Sequence, residues 1–203
     1  MNLYDKLLGN HWVYEYIRPF VVGGLNSEIA YECVECCSED IIVDVGCGMG
    51  AALNHLQCFR QYHGFDPDKR AIKRLSGQYQ KDNIFIYNRV LTVEDILRIK
   101  PQKIILIGLL HHLREDEILE LWKILSLSDS IRRVITLDPM YIKGKPLNNF
   151  LAFFDRGKYV RTKEIYEALM KKSPFILFRI FHIQSGNKLA SYFMADLRSS
   201  EGI

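Results

Sequence analysis

The residues of this chain that are best suited to chemistry form a glycine-rich run and a carboxylate that follows it. The run has the pattern D-x-G-x-G-x-G over residues 44–50 and comes directly after the apolar segment 41–45. Glycine has no Cβ, so a backbone of alternating glycines can pass close beneath a ligand. Asp66 ends the next apolar segment, where a carboxylate can accept both hydroxyls of a ribose. Together these features predict a pocket for an adenosine-containing cofactor.

The spacing of the glycines excludes two other nucleotide-binding motifs. A dinucleotide fingerprint reads G-x-G-x-x-G, and Ala51 stands here in the place of its third glycine. A phosphate-binding Walker loop requires Gly-Lys followed by Ser or Thr, and the chain has no such tripeptide. The pattern therefore favours a different class of cofactor site.

The run Asp44–Gly50 closely resembles the first motif of the class I S-adenosylmethionine-dependent methyltransferases, and Asp66 stands where that family has the acid of its second motif. The resemblance extends over roughly residues 26–196. It implies S-adenosylmethionine as the cofactor and an α/β fold: a seven-stranded, mostly parallel Rossmann-like sheet with helices on both faces and a C-terminal antiparallel hairpin. The cofactor-binding residues that it implies are Asp44, Gly46, Cys47, Gly48, Gly50, Asp66, Pro67, Val90, Leu91, Gly108 and Leu109.

One departure from the family lies after the predicted third strand. Many members have an acid there that binds the adenine amino group, whereas residues 88–92 of this chain contain none and the next acid is Glu94. We therefore expect backbone groups near Val90 and Leu91, together with apolar contacts, to hold the adenine.

Short apolar segments alternate with longer mixed segments from residue 41 onward, which is typical of parallel strands joined by right-handed crossovers. The predicted strands are 41–45, 62–65, 84–87, 103–107 and 134–137, with helical segments near 50–58, 68–79, 93–99 and 115–127. A helix over 160–172 and a hairpin of 175–183 with 188–197 follow them. Before the first strand, a helix capped by Asn26 or Ser27 is predicted to run to about Cys37.

Three side chains are candidates for catalysis because they follow strands at the carboxyl edge of the predicted sheet. His111 and His112 come after the fourth strand, and Tyr141 comes after the fifth. A neutral imidazole is a suitable base for an acceptor hydroxyl or amine. Adjacent side chains point in different directions, so we expect at most one histidine to face the acceptor. The alternative is that both histidines only support the cofactor loop.

Residues 139–158 form a predicted insertion over the acceptor site. Part of it, together with the residues that follow to Arg161, resembles a stretch of a bacterial subgroup of small-molecule methyltransferases. On that interpretation Phe153 belongs to an aromatic wall, and Arg156 and Arg161 hold an anionic or sugar-like acceptor. The alternative is a short amphipathic helix with its phenylalanines in the core and its charges in water.

The N-terminal residues 1–25 are predicted to form a helical lid. N-terminal helices in the resembled family often fold over the cofactor. Arg18 is then expected to pair with the methionine carboxylate, and Tyr14 to line the pocket. The alternative is an ordinary packing helix with an exposed arginine.

Composition limits the classes of function. The chain has 203 residues, enough for one α/β domain over 1–203, and 48% of them are hydrophobic. Its 27 basic and 24 acidic residues nearly balance, so we expect no nucleic-acid partner. No apolar run is long enough to cross a bilayer, and we expect a cytoplasmic protein with no membrane association. Cys33, Cys36 and Cys37 are expected to fill a buried helix face and not to bind a metal.

These observations predict a methyltransferase that acts on a small-molecule acceptor, most readily at oxygen. A nucleic-acid or protein methyltransferase is the first alternative. Against it, the fourth strand does not end in the Asn/Asp-Pro-Pro-Tyr/Phe motif of enzymes that methylate amino nitrogens. A second alternative is a partner subunit of the same fold without catalytic activity.

Overall fold

The structure, a computed structural model, describes residues 28–153 and 157–200. The predicted N-terminal lid over residues 1–25, with Tyr14 and Arg18, lies outside the described residues, as does Arg156. Those three site predictions remain predictions.

Eight strands and six α-helices make up the described part of the chain. The strands are β1 (Ile41–Val45), β2 (Gln61–Phe65), β3 (Ile84–Tyr87), β4 (Lys103–Ile107), β5 (Arg133–Tyr141), β6 (Arg161–Thr162), β7 (Ile176–Gln184) and β8 (Ser191–Arg198). The helices are α1 (Glu28–Glu32), α2 (Lys69–Gln78), α3 (Val93–Ile99), α4 (Glu115–Leu125), α5 (Pro146–Phe153) and α6 (Lys163–Met170). Two short 3₁₀ turns, Ala51–Asn54 and Leu110–His112, follow β1 and β4.

The sheet has the strand order β3-β2-β1-β4-β5-β8-β7, with the two-residue β6 paired to the end of β5. The pairs from β3 to β5 are parallel, whereas β8 is antiparallel to both β5 and β7. This confirms the predicted mostly parallel sheet with a C-terminal antiparallel hairpin. The chain order reverses between β1 and β4, and in open α/β sheets the ligand crevice lies at such a reversal, beyond the carboxyl ends of the strands.

Helices cover both faces of the sheet because the central strands are apolar on both sides. On one face, α3, α4 and α6 pack on a cluster that includes Val43, Leu106 and Val134. On the other face, α1 packs on a cluster that includes Ile42, Ile105 and Ile135. None of the helices within residues 28–153 and 157–200 has the length and apolar character needed to span a lipid bilayer.

Two predicted helices are much shorter than expected. The first ends at Glu32, so the prediction that it reaches Cys37 is wrong. Glu35 adopts a left-handed φ of 48°, which a helix does not accommodate, and its carboxylate contacts the buried Arg133. As a result Cys37 is exposed and does not fill a helix face. The predicted helix near 50–58 is only the single turn Ala51–Asn54.

Candidate functional site

A cavity of about 590 Å³ opens where the carboxyl ends of β1, β2 and β4 meet. It is lined mainly by apolar side chains, with a few polar groups at its edge, as is usual for cofactor sites. Eight of the residues that the sequence singled out line it: Gly46, Asp66, Pro67, Val90, Leu91, Gly108, Leu109 and His112. The fold therefore brings together residues that are up to 66 positions apart in sequence.

The glycine run makes a tight bend beside this cavity, and Gly46 is the residue of the run that lines it. Gly46 donates its backbone N–H to the Phe65 carbonyl over 2.8 Å, which ties the bend to β2. Its φ is 77°, and a Cβ at this position would lie 3.0 Å from Leu109 Cδ1. Gly50 has a φ of 79°, and a Cβ there would lie 2.2 Å from Leu75 Cδ1. Both positions therefore favour glycine for conformation, and at Gly50 a Cβ would also displace the Leu75 side chain.

Asp66 lies at the cavity edge, immediately after β2. Its Oδ2 accepts the Gly48 backbone N–H over 2.9 Å, and its Oδ1 accepts the Asp68 N–H over 2.7 Å. A carboxylate has roughly four acceptor positions, so these two bonds fix its orientation and leave capacity for two further donors. Two adjacent hydroxyls of a ribose have the geometry to use that capacity.

The two histidines of the turn after β4 face different surroundings. His112 is exposed and lines the cavity. His111 is only 3% exposed, and its Nδ1 lies 2.7 Å from Asp138 Oδ1. The same carboxylate oxygen accepts the His111 backbone N–H over 3.1 Å. Because Oδ1 already acts as an acceptor toward the backbone N–H, we assign the proton of this pair to Nδ1 of His111.

The sequence matches no family model and no curated protein. Solved structures match at the level of the fold. A methyltransferase domain of bacterial CtHen1 has 17% identity and a TM-score of 0.66, over 86% of this chain and 100% of that one. CalO1, a methyltransferase of calicheamicin biosynthesis solved with S-adenosylhomocysteine, has 16% identity and a TM-score of 0.65. The mitomycin 7-O-methyltransferase MmcR has 15% identity and a TM-score of 0.61. The matches to CalO1 and MmcR each cover 98% of this chain and 61% of the other chain.

The chain has the class I methyltransferase fold. Each of the three structures is described as a methyltransferase or as a methyltransferase domain, and the sheet order and hairpin of this chain fit that fold. Identities of 15–17% are too low to carry over an activity or an acceptor.

Asp44 lies beneath the cavity surface of the methyltransferase fold, although the sequence predicted that it contacts the cofactor. It is 5% exposed and is not among the residues that line the cavity. The hydroxyl of Tyr62 donates a 2.6 Å hydrogen bond to its Oδ2. Burial raises the pKa of Asp44 to about 7, the hydrogen bond from Tyr62 opposes the rise, and the nearby charge of Asp66 adds to it. Asp44 is therefore an ionisable group close to neutrality beside the glycine bend.

The other predicted residues of the bend also lie behind the cavity surface. Cys47 is buried, and its Sγ would lie 2.9 Å from a Cβ added to Gly64 of β2. Gly48 points its N–H at Asp66, whereas a Cβ added to Gly48 would meet no atom within 4 Å. Cys47 thus packs the bend against the sheet, and Gly48 leaves open space above it.

The loop after β3 holds no carboxylate that faces the cavity. Asn88 donates its amide to the Asp66 backbone carbonyl over 3.1 Å. The Arg89 guanidinium pairs with Asp95, which is 3% exposed and caps α3. Val90 and Leu91 reach the cavity, as expected from the sequence. The apolar wall is therefore present here, and the acid that many family members have is replaced by a structural ion pair.

Three predicted acceptor-side residues lie away from the cavity. Tyr141 ends β5 and pairs in register with Thr162 of β6. Phe153 is the last residue of α5 and is 53% exposed. The guanidinium of Arg161 donates to the backbone carbonyls of Leu110, Tyr159 and Leu113 over 2.7–2.8 Å. The Arg161 guanidinium thus binds backbone groups of the chain itself, which favours a positioning role over the predicted acceptor contact.

Sequence reasoning missed one wall of the cavity, which is formed by α4 and by Leu113, two residues before it. The residues concerned are Leu113, Glu117, Glu120, Leu121 and Ile124. Their spacing of three and four residues is the signal that could have found them, because it places the helical ones on one face of a helix. That helix begins at the carboxyl edge of the sheet, so this face borders the crevice.

Proposed function

We propose that this protein transfers a methyl group from S-adenosylmethionine to a small-molecule acceptor, at an oxygen atom. One observation carries the proposal: a bend of glycines and an oriented carboxylate, Asp66, border the same cavity of about 590 Å³. The cavity has the size class of a cofactor site. The bare backbone at Gly46 and the carboxylate at the cavity edge match what a sulfonium nucleoside requires.

The residues of the cavity fit this cofactor. Asp66 would accept the ribose hydroxyls, and the wall of Val90 and Leu91 would contact the adenine. The left-handed backbone at Gly46 and Gly108 would let the methionine part pass close to the strand ends. When bound, S-adenosylmethionine supplies an electrophilic methyl group on a positively charged sulfur.

The pair of His111 and Asp138 supports transfer to oxygen. A hydroxyl becomes a better nucleophile when a base removes its proton, and an imidazole oriented by a carboxylate is a suitable base. Asp138 orients His111 through its Nδ1, so Nε2 is the atom that would take the proton. Nε2 is buried and His111 does not line the cavity, so this role requires the acceptor to bind on the His111 side of the 110–113 turn with a local opening that exposes Nε2. Among the structural neighbours, MmcR is described as a 7-O-methyltransferase.

Calorimetric titration with S-adenosylmethionine and with S-adenosylhomocysteine tests the cofactor. We expect both to bind the wild-type protein and Asp66→Ala to bind them at least tenfold more weakly, because charged hydrogen bonds to the ribose are lost. Asp82→Ala removes an exposed carboxylate that does not line the cavity and serves as the matched control. Absence of binding to the wild-type protein would contradict the proposal.

The acceptor class is tested by incubating candidate small molecules with a cofactor labelled in its methyl group. A mass shift in a hydroxyl-containing small molecule supports the proposal. Label that appears only in nucleic acid or in protein would replace it with the first alternative. The loop after β3, where an ion pair replaces the usual acid, is the observation that favours a non-catalytic subunit. Cofactor binding without transfer to any acceptor class would support that alternative.

A further inference from the structure

The segment 157–161 is joined by several contacts to the turn that carries both histidines. The Tyr159 backbone N–H donates to the His111 carbonyl over 2.9 Å. Arg161 reaches both ends of the turn, since Nη1 donates to the Leu110 carbonyl over 2.8 Å and Nη2 to the Leu113 carbonyl over 2.7 Å. Three of the four carbonyls from 110 to 113 are therefore bound by this one segment.

Arg161 is itself held in a fixed place. It belongs to β6 and pairs in register with Met140 of β5, the strand that also carries Asp138. Its guanidinium lies 5.8 Å from the centre of the Tyr159 ring and 5.9 Å from that of Tyr166. Arg161 thus links the histidine turn to the strand that holds the partner of His111.

Gly157 adds a steric contact to these hydrogen bonds. A Cβ at this position would lie 1.9 Å from His111 Cδ2 and 2.7 Å from His111 Cγ. The backbone of Gly157 therefore covers the imidazole at a distance that no other residue type allows. This close contact keeps the ring in place while Asp138 holds its Nδ1.

We infer that Arg161 is a positioning residue, which braces the 110–113 turn together with Gly157 and Tyr159. The braced turn holds His111 in contact with Asp138, and it holds His112 at the cavity. The consequence of this brace for catalysis rests on the proposed function. The brace explains why a guanidinium is placed here, because its planar fork can donate to two carbonyls at opposite ends of a turn whereas an ammonium is a single point.

The test compares Arg161→Ala, Arg161→Lys and Gly157→Ala with the wild-type protein, at a temperature where circular dichroism shows each to be folded. In protein labelled with ¹⁵N-histidine, the proton on His111 Nδ1 gives a downfield resonance, which is assigned by its loss in His111→Gln. We expect this resonance to shift or disappear in Arg161→Ala and in Gly157→Ala. Arg161→Lys should restore it in part, since an ammonium can reach one of the two carbonyls.

The second readout is the affinity for S-adenosylhomocysteine. We expect Arg161→Ala to weaken it about tenfold, because Leu109, His112 and Leu113 all line the cavity and depend on the same turn. Arg98→Ala is the matched control, since Arg98 is an exposed arginine of α3 that pairs with Asp95 and does not line the cavity. It should change neither the affinity nor the His111 resonance.

An unchanged His111 resonance in both Arg161→Ala and Gly157→Ala would overturn the inference. A shift of the His111 resonance in Arg98→Ala as large as that in Arg161→Ala would also overturn it, because the effect would then be a general loss of order. If the wild-type protein does not bind S-adenosylhomocysteine, the proposed function fails. The resonance of His111 still tests the brace in that case, because it requires no ligand.

Discussion

The hydroxyl of Tyr62 donates a 2.6 Å hydrogen bond to the carboxylate of Asp44 across two neighbouring parallel strands, beside the glycine bend. Both side chains are buried. Burial raises the pKa of Asp44 to about 7, although the bond from Tyr62 acts in the opposite direction. The pair therefore combines a fixed geometry with a charge that changes near neutral pH.

The first prediction concerns stability as a function of pH. An aspartate titrates near 3.9 in an unfolded chain, so between that value and about 7 the folded protein binds more protons at Asp44 than the unfolded chain does. Stability must then fall as pH rises through this range. We expect Asp44→Asn, which cannot ionise, to gain on the order of 2 kcal/mol relative to the wild-type protein between pH 5 and pH 8.

Urea denaturation of both proteins at pH 5, 6, 7 and 8 measures this difference. Tyr62→Phe is the companion variant, because loss of its hydrogen bond should raise the pKa of Asp44 further and move the fall in stability to higher pH. A difference between Asp44→Asn and the wild-type protein that stays constant from pH 5 to pH 8 would show that Asp44 ionises normally.

The second prediction is that S-adenosylmethionine binds more tightly as pH rises through about 7. Its sulfonium charge should favour the ionised form of Asp44, whose pKa is near that value, with Asp66 adding a second negative charge. S-adenosylhomocysteine lacks the sulfonium charge and should show a smaller dependence. Titration calorimetry at several pH values measures both affinities.

Asp44→Asn is the control for this pH dependence. The titration of the ligand's own groups is the same for the variant and the wild-type protein, so the difference between them isolates Asp44. Equal pH dependence in the two proteins would mean that the Asp44 carboxylate does not interact with the charge of the ligand.

The sequence was most informative about strands that consist mostly of apolar residues. β1, β3 and β4 have the predicted bounds, because each is a short apolar run. The hairpin was predicted from two such runs around a short turn, whereas the seven-stranded sheet was implied by the family resemblance. The helix predicted to reach Cys37 was wrong because a distant contact decides it, since Glu35 turns toward Arg133, which lies 98 positions later.

Only part of the site was predicted from the sequence, because contacts between distant residues also determine it. Gly46, Asp66 and Leu109 belong to local motifs, and the fold brings them to one cavity. The different surroundings of His111 and His112 could not be read from two adjacent histidines. They are set by Asp138, which is brought to His111 across the parallel β4 and β5 pair.

The third prediction tests why Gly46 is a glycine. Gly46→Ala places a Cβ 3.0 Å from Leu109 Cδ1 and forces an L-residue to a φ of 77°. We expect a loss of stability of about 1–2 kcal/mol from the backbone conformation alone and a clear loss of affinity for S-adenosylhomocysteine. The double variant Gly46→Ala/Leu109→Ala removes the steric conflict but keeps the conformational cost.

Comparison of the single and double variants by urea denaturation separates the two causes. If the double variant regains part of the stability, the contact with Leu109 contributes to the requirement for glycine. Wild-type stability and affinity in Gly46→Ala itself would show that the bend tolerates a side chain, and the account of Gly46 in the cavity lining would be wrong.

The last prediction separates the roles of the two histidines. His111→Gln removes the base that Asp138 orients, so we expect methyl transfer to fall about 10²–10⁴-fold while S-adenosylhomocysteine still binds, because His111 does not line the cavity. His112→Gln should do the reverse, with weaker cofactor binding and a smaller loss of turnover. Asp138→Asn should resemble His111→Gln, because an amide can donate to Nδ1 and so favour the other imidazole tautomer. Equal turnover in His111→Gln and the wild-type protein would exclude His111 as the base and leave its bond to Asp138 with a purely structural role.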